Sequence, residues 1–285
     1  MRPFTLKSPA KLNLYLSVNH RRPDGYHDIT TLFERINLFD EISFESAVDQ
    51  SIRISCDHPQ VPVGRKNLVY QAAKLLQDEF GLRQGARIYI RKRIPVAAGL
   101  AGGSSNCATA LLGLNRLWGL KLGREELVRF GQSLGCDVAF FLYDTSWAWG
   151  RGRGDQIEPL DVKTKCWHIV VTPKAKVYSS AVYSALKLEL TKKIEDVNIL
   201  LSYLRMNNII GLGRVLHNDL EPAVCSFCST VESVKAALKK WDVPGARVSG
   251  SGPSVYALTE NAAQARNIAE HLAHRYAQVF VVSTF

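Results

Sequence analysis

Residues 94–114 read IPVAAGLAGGSSNCATALLGL, and four glycines and two serines in so short a stretch leave few folds open. The stretch lies between an apolar, strand-like segment, ARIYIRKRI, and a helical repeat marked by Ala108, Leu111, Leu112 and Asn115. The spacing therefore predicts a strand, a glycine loop and a helix N-terminus. The first turn of such a helix carries backbone N–H groups with no intrahelical partner, and the helix dipole adds partial positive charge there. Glycine lets that backbone approach a ligand closely, while Ser104 and Ser105 are placed to cap the helix or to donate hydroxyls to phosphate oxygens. The segment lacks the lysine of a Walker loop, and neither its glycine spacing nor a downstream acid matches a dinucleotide-binding fingerprint. Taken alone, a flexible turn ahead of a capped helix is the alternative.

The 36 basic and 26 acidic residues leave a formal net charge of +10, which suits a polyanion: nucleic acid, a membrane surface or a nucleotide. Arg87, Arg91, Lys92 and Arg93 run along the strand that enters the glycine loop, which fits a nucleotide better than a long polymer; a solvated sheet face is the alternative. No RNA-binding or helix-turn-helix signature supports the polymer. Six scattered cysteines form no disulfide framework and are expected to be free thiols. Cys225 and Cys228 make an isolated CxxC without a second ligand pair, and His271 and His274 lack a carboxylate, so no metal site is predicted at either place. Without an apolar signal core or a long uncharged span, the chain is expected to be cytoplasmic.

A length of 285 residues, 46% of them hydrophobic, suits two domains. Near the start, alternation puts Leu12, Leu14 and Leu16 on one strand face and Lys11, Asn13 and Tyr15 on the other, where a ligand has access. RRPDGY reads as a turn that delivers Tyr26 and His27, EISFE as a strand, and Asn67 as the opening of a helix. In LGCDVAFFL, Gly135 closes one helix and Asp137 is placed to cap the next segment; WGRGRGD is a hairpin turn. The polar run DVKTK near residue 160 marks a boundary between units 1–160 and 161–285. Strands and helices follow to the C-terminus, and the mixed order predicts an α+β protein.

SPAKLNLYL, IPVAAGLAGGSSNCATALLGLN and VSGSGPSVYAL, in that order, resemble the three motifs of the GHMP kinases, the superfamily of galactokinase, homoserine kinase and mevalonate kinase. RPDGYHDITTLF, LGCDVAFFL and HNDLEP are similar to its branch with a cytidine-diphosphate acceptor, so the resemblance spans Ser8 to Ala257. It implies the two-domain GHMP-kinase fold, with the active site in the inter-domain cleft. It also implies ATP-dependent phosphorylation of the 2-hydroxyl of 4-diphosphocytidyl-2-C-methyl-D-erythritol in the non-mevalonate isoprenoid route. ATP is then the phosphoryl donor, Mg2+ comes with it, and neither nucleic acid nor membrane is a partner.

Carried over by position, the resemblance makes Lys11 and Asp137 catalytic, and Asn13, Tyr26, His27 and, by a gapless match after Pro173, Tyr183 substrate-binding. The ATP phosphates fall to Pro95, Val96, Ala97 and Ala98 entering the loop, to Gly99, Leu100 and Ala101 at its turn, and to Gly102, Gly103, Ser104 and Ser105 opening the helix. No residue is assigned to a metal, although Ser105 is near enough in sequence to touch one. Ala101 stands where the family commonly has glycine, and Ala97 and Ala98 replace frequent glycines; φ at Ala101 is expected to lie below zero. Lys11 is expected to neutralise charge on the transferred group. Whether Asp137 takes the hydroxyl proton or only orients it stays open, as does a two-ring clamp on cytosine by Tyr26 and Tyr183 with His27 at the base edge.

Overall fold

The computed structural model describes residues 2–186 and 197–285. The RRPDGY turn joins two long antiparallel strands, β1 (Phe4–Arg21) and β2 (His27–Ala47), and Arg22 N donates to Tyr26 O across it. EISFE is thus the end of a 21-residue strand and not a strand of its own. Strands β3 (Ile52–Cys56), β4 (Gly85–Arg91), β5 (Trp147–Arg151) and β6 (Gln156–Pro159) complete one side of this sheet, with WGRGRGD turning between β5 and β6. After β7 (Trp167–Val171), the two-residue β8 (His217–Asn218) returns to pair in parallel with β1, making seven strands. Strands β9 (Ala246–Val248), β10 (Val255–Thr259) and β11 (Val279–Ser283) join β7 in a second sheet of order β11-β7-β10-β9.

Register shifts at Pro9/Ala10, Asn13/Tyr15 and Val18/His20 let β1 bend, and Pro9 sits at a shift because it has no N–H for the ladder. From Ser8 to Val18 this strand is buried on both faces, so the predicted open polar face is only half correct. Lys11 and Asn13 reach the cavity described below, whereas Tyr15 is covered by Trp149 and His217.

Helices α1 (Leu68–Glu79) and α2 (Gly102–Trp118) pack on the first sheet, and α3 (Arg124–Leu134) packs on α1, α2 and residues 139–142. Asn67 caps α1 by accepting from Val69 N, as its residue type predicts. The glycine in the middle of α2, Gly113, serves close packing: a Cβ there would lie 2.3 Å from the buried Phe44 ring. The short helices α4 (Ser179–Ala185), α5 (Val197–Arg205), α6 (Ile209–Arg214) and α7 (Glu221–Phe227) precede α8 (Thr230–Lys239) and α9 (Ala262–Ala273), which pack beside the second sheet. The chain end ties the sheets together, since Phe285 N donates to Arg35 O. Among the described residues no helix is long and apolar enough to cross a membrane.

Candidate active site

Lys11 is 4% exposed, and its ammonium donates to Asn13 Oδ1 at 2.5 Å and to Gly99 O at 3.2 Å. Burial lowers its pKa from the ordinary lysine value, an effect partly offset by the Asp137 carboxylate. Asp137 Oδ2 lies 3.8 Å from Lys11 Nζ, too long for a direct hydrogen bond, and the acid keeps 35% of its side chain exposed. Asn13 also donates to Thr31 Oγ1, so its amide group mainly aims Lys11. The register that alternation fixed on β1 is what puts Lys11 and Asn13 on one side of the strand, and LGCD brings Asp137 opposite them after α3.

Around these groups lies a cavity of about 1020 Å³. Of the residues expected in the phosphate loop, Pro95, Val96, Ala97, Ala98, Gly99, Ala101, Gly102, Gly103 and Ser104 line it. Leu100 and Ser105 do not. Leu100 is fully buried in the core between the sheets, and the Ser105 hydroxyl turns inward to Ser8 Oγ at 2.8 Å, away from any phosphate or metal. Neither serine caps α2: its N-cap is Ala101, without a side-chain bond. The amides of Gly102, Gly103 and Ser104 consequently donate to no protein acceptor among the described residues, which suits an anion.

Ala101 has φ +54° and Ala97 φ +53°, so the expectation of a negative φ at Ala101 is overturned. The loop holds two alanines in the left-handed region, at a strain of roughly 1–2 kcal/mol each. Packing holds them there. A Cβ on Gly99 would meet Ser249 O at 2.1 Å, and Lys11 N donates to Leu100 O, so the loop is clamped between β1 and the third glycine segment.

The basic strand does not supply the nucleotide charge that its sequence suggests. Arg87 pairs with Glu45, Arg91 with Glu41 and Arg93 with Asp57 on the sheet surface. Lys92 alone of the four lines the cavity, and its ammonium is held at 2.6 Å by buried Asp40 and at 2.6 Å by Ile94 O. Burial lowers its pKa, with Asp40 opposing. The strand alternation on β2 that carries Asp40, Glu41 and Glu45 was available in the sequence, but their register with β4 and the approach of Asp57 from the end of β3 were not.

At the other end of the cavity, the rings of His27 and Tyr183 stack at 5.2 Å, and the Arg153 guanidinium lies 5.1 Å from the Tyr26 ring centre. Tyr26 is 51% exposed. Each tyrosine is therefore already engaged on one side, which the simple picture of a base between two open rings did not include. Burial, and then the Arg21 charge, lower the pKa of His27 and favour its neutral imidazole. Burial raises the pKa of the Tyr183 hydroxyl. Tyr178, Arg153 and Cys136 also line the cavity; Arg153 lies in the WGRGRGD turn and Cys136 in LGCDVAFFL, but neither was singled out for the site from sequence.

The cavity fits a nucleotide triphosphate: the Gly103 position has open space where a Cβ would stand, and the amides left unpaired at the start of α2 suit an anion. Among the described residues, Asp137 is its only lining carboxylate. Among the described residues, one cluster has metal-ligand chemistry, the fully buried Glu34, Cys166 and His168 between the sheets, with His168 Nε2 2.8 Å from Glu34 Oε2; it lies outside the cavity.

The family model "GHMP kinases N terminal domain" matches residues 67–145 and "GHMP kinases C terminal" residues 200–278. A 4-diphosphocytidyl-2-C-methyl-D-erythritol kinase of Enterococcus faecalis is 39% identical over 98% of both chains. A crystal structure of 4-(cytidine 5'-diphospho)-2C-methyl-D-erythritol kinase superposes with a TM-score of 0.84 at 32% identity, covering 98% of both chains. Homoserine kinase from Cytophaga hutchinsonii shares the fold, with a TM-score of 0.79 at 22% identity over 100% of this chain and 95% of that one.

Proposed function

Because the chain belongs to the GHMP kinases, in the branch formed by the 4-diphosphocytidyl-2-C-methyl-D-erythritol kinases, we propose that it phosphorylates the 2-hydroxyl of that cytidine compound with ATP. The products are the 2-phosphate and ADP, in the non-mevalonate isoprenoid route. The observation that carries the mechanism is the 3.8 Å gap between Lys11 Nζ and Asp137 Oδ2, beside Gly99. A hydroxyl seated beside that pair, off the line joining the two atoms, is within hydrogen-bond reach of both, at about 2.8 Å from each. Asp137 orients it and receives its proton late, as expected for a loose transition state, while Lys11 neutralises charge on the transferred group.

The residues from Pro95 to Ser104, Leu100 excepted, form the cradle for the ATP phosphates, with the amides at the start of α2 as donors. Mg2+ would come with the nucleotide and offset its charge; we assign it no protein ligand. Asn13 aims Lys11, and Tyr26, His27 and Tyr183 hold the cytosine end, where neutral His27 offers one N–H and one lone pair to the base edge. The working units are 1–160, carrying the glycine loop, and 161–285. Free cysteines and the use of ATP fit a cytoplasmic setting, without nucleic acid or membrane as partner.

A coupled ADP-release assay tests this reading, with 4-diphosphocytidyl-2-C-methyl-D-erythritol, homoserine and mevalonate as separate acceptors. Turnover confined to the cytidine compound is expected. Absent turnover with it, or equal turnover with all three, overturns the assignment.

A further inference from the structure

The third glycine segment, Ser249–Gly250–Ser251–Gly252, has no part in the chemistry described so far, yet it forms the wall beside Lys11. A Cβ on Gly250 would stand 3.2 Å from Lys11 Nζ and 3.0 Å from Asn13 Oδ1. Ser249 Oγ donates to Gly99 O at 3.0 Å and accepts from Asn13 N at 3.4 Å, which locks this segment to β1 and to the phosphate loop. The loop's own turn is closed by Gly252 N donating to Ser249 O. The two amides between, those of Gly250 and Ser251, donate to no protein acceptor among the described residues, although Gly250 is buried and both residues line the cavity. Over nine-tenths of buried backbone N–H groups in proteins are paired, so a buried one at a cavity wall points to a partner that comes from outside the chain.

Two successive amides around a residue of positive φ, here +53° at Gly250, make the kind of concavity that binds anions. Its place fixes which anion. The acceptor hydroxyl and the phosphate loop converge at Lys11 and Gly99, so the group nearest to Gly250 is the phosphoryl group between them. The backbone there is aimed by Asn218, from the HNDLEP motif, which is 6% exposed. Its Nδ2 donates to Val248 O and to Gly250 O, each at 2.8 Å, and its Oδ1 accepts from Leu220 N at 2.9 Å. All three polar bonds of the side chain are thus made to main chain, one to Gly250 in the segment and one to Val248 just before it.

We propose that the Gly250 and Ser251 amides form an anion hole for the phosphoryl group in transfer, and that Asn218 is the positioning residue that aims them. The loop makes and breaks no bond itself. As the bond from phosphorus to the ADP oxygen lengthens and the bond to the acceptor oxygen forms, negative charge on the equatorial oxygens is met by two fixed dipoles in addition to Lys11. This rests on the kinase reading above and goes beyond it by assigning a role to the third motif.

The test uses 15N-labelled full-length chain and the transition-state mimic ADP–aluminium fluoride with Mg2+. The Gly250 and Ser251 amide protons are expected to move downfield and to exchange more slowly in that complex, and not with ADP alone. Asn218→Ala is expected to lower kcat about tenfold or more, with KM for both substrates nearly constant, and to weaken the mimic but not ADP. A residue that only holds the fold would lower the melting temperature without that selectivity. If Asn218→Ala does not fold, the amide shifts of the parent chain decide alone. Normal turnover with silent amides overturns the anion hole and leaves the kinase reading standing, whereas absent turnover with the cytidine acceptor removes the reading itself.

Discussion

Gly99 in the loop and Gly103 in the first turn of α2 stand four residues apart, and the structure gives them opposite reasons to be glycine. A Cβ at Gly103 would meet nothing within 4 Å, so Gly103→Ala adds a methyl to open cavity and not to protein. Gly103 lies in the first turn of α2, where alanine is preferred to glycine by roughly 0.5–1 kcal/mol. The melting temperature of the variant should therefore hold or rise by about 1–4 °C. The same methyl stands where a phosphate must approach the unpaired amides. Losing one amide–phosphate bond costs roughly 1.5–3 kcal/mol. ATP affinity should accordingly fall about ten- to a hundredfold, with affinity for the cytidine acceptor nearly constant, and Gly103→Val should act in the same sense more strongly. Gly99→Ala is the contrast, since its Cβ would lie 2.1 Å from Ser249 O at a φ of +76°. Strain and displaced backbone should cost the fold roughly 2–4 kcal/mol. Calorimetric titration with ATP and with the acceptor, beside a melting curve, separates the two effects. Unchanged ATP binding by Gly103→Ala, or equal loss of both substrates, would refute the phosphate cradle.

Asp137→Asn keeps the shape, and since Gly135 closes α3 without the acid, turnover should fall by about two to four powers of ten at an unchanged melting temperature; near-normal turnover returns the acid to a structural part. Tyr183→Ala and Tyr26→Ala should each raise KM for the cytidine acceptor about tenfold or more and leave KM for ATP alone, with Phe at either position mild, because stacking needs only the ring. Both variants behaving as the parent chain would remove the aromatic part of the acceptor site. Burial lowers the pKa of Lys11 in the folded chain, so between that lowered value and 10.5 the unfolded chain binds the proton more tightly, and folding stability rises with pH. Lys11→Met should lose turnover and lack this rise, which denaturation of both chains from pH 8 to 10.5 checks; parallel stability curves would contradict a buried ammonium.

Local rules read directly from the chain account for much of this molecule. The glycine-to-helix junction, the Asn67 cap, the turn at Gly25 and the alternation that puts Lys11 and Asn13 on one strand face all depend on residues within a few positions of one another, where backbone geometry and burial leave few choices. Ordered motifs across nearly the whole chain carried the family. What sequence could not carry depends on partners far away along it. Four basic residues before the loop looked like a nucleotide's counter-charge until β2 set Glu41, Glu45 and Asp40 in register beside three of them, and the segment after β3 set Asp57 beside the fourth. Ser105 looked like a phosphate ligand until the start of α2 turned it onto Ser8. Positive φ at Ala97 and Ala101 is imposed by a clamp of β1 and residues 249–252, about 150 positions downstream. The stacking of His27 on Tyr183 likewise joins a turn of the first sheet to a short helix of the second half. In each case the deciding free energy lies in a contact between residues far apart along the chain, and such contacts exist only after the strands and helices have assembled around them.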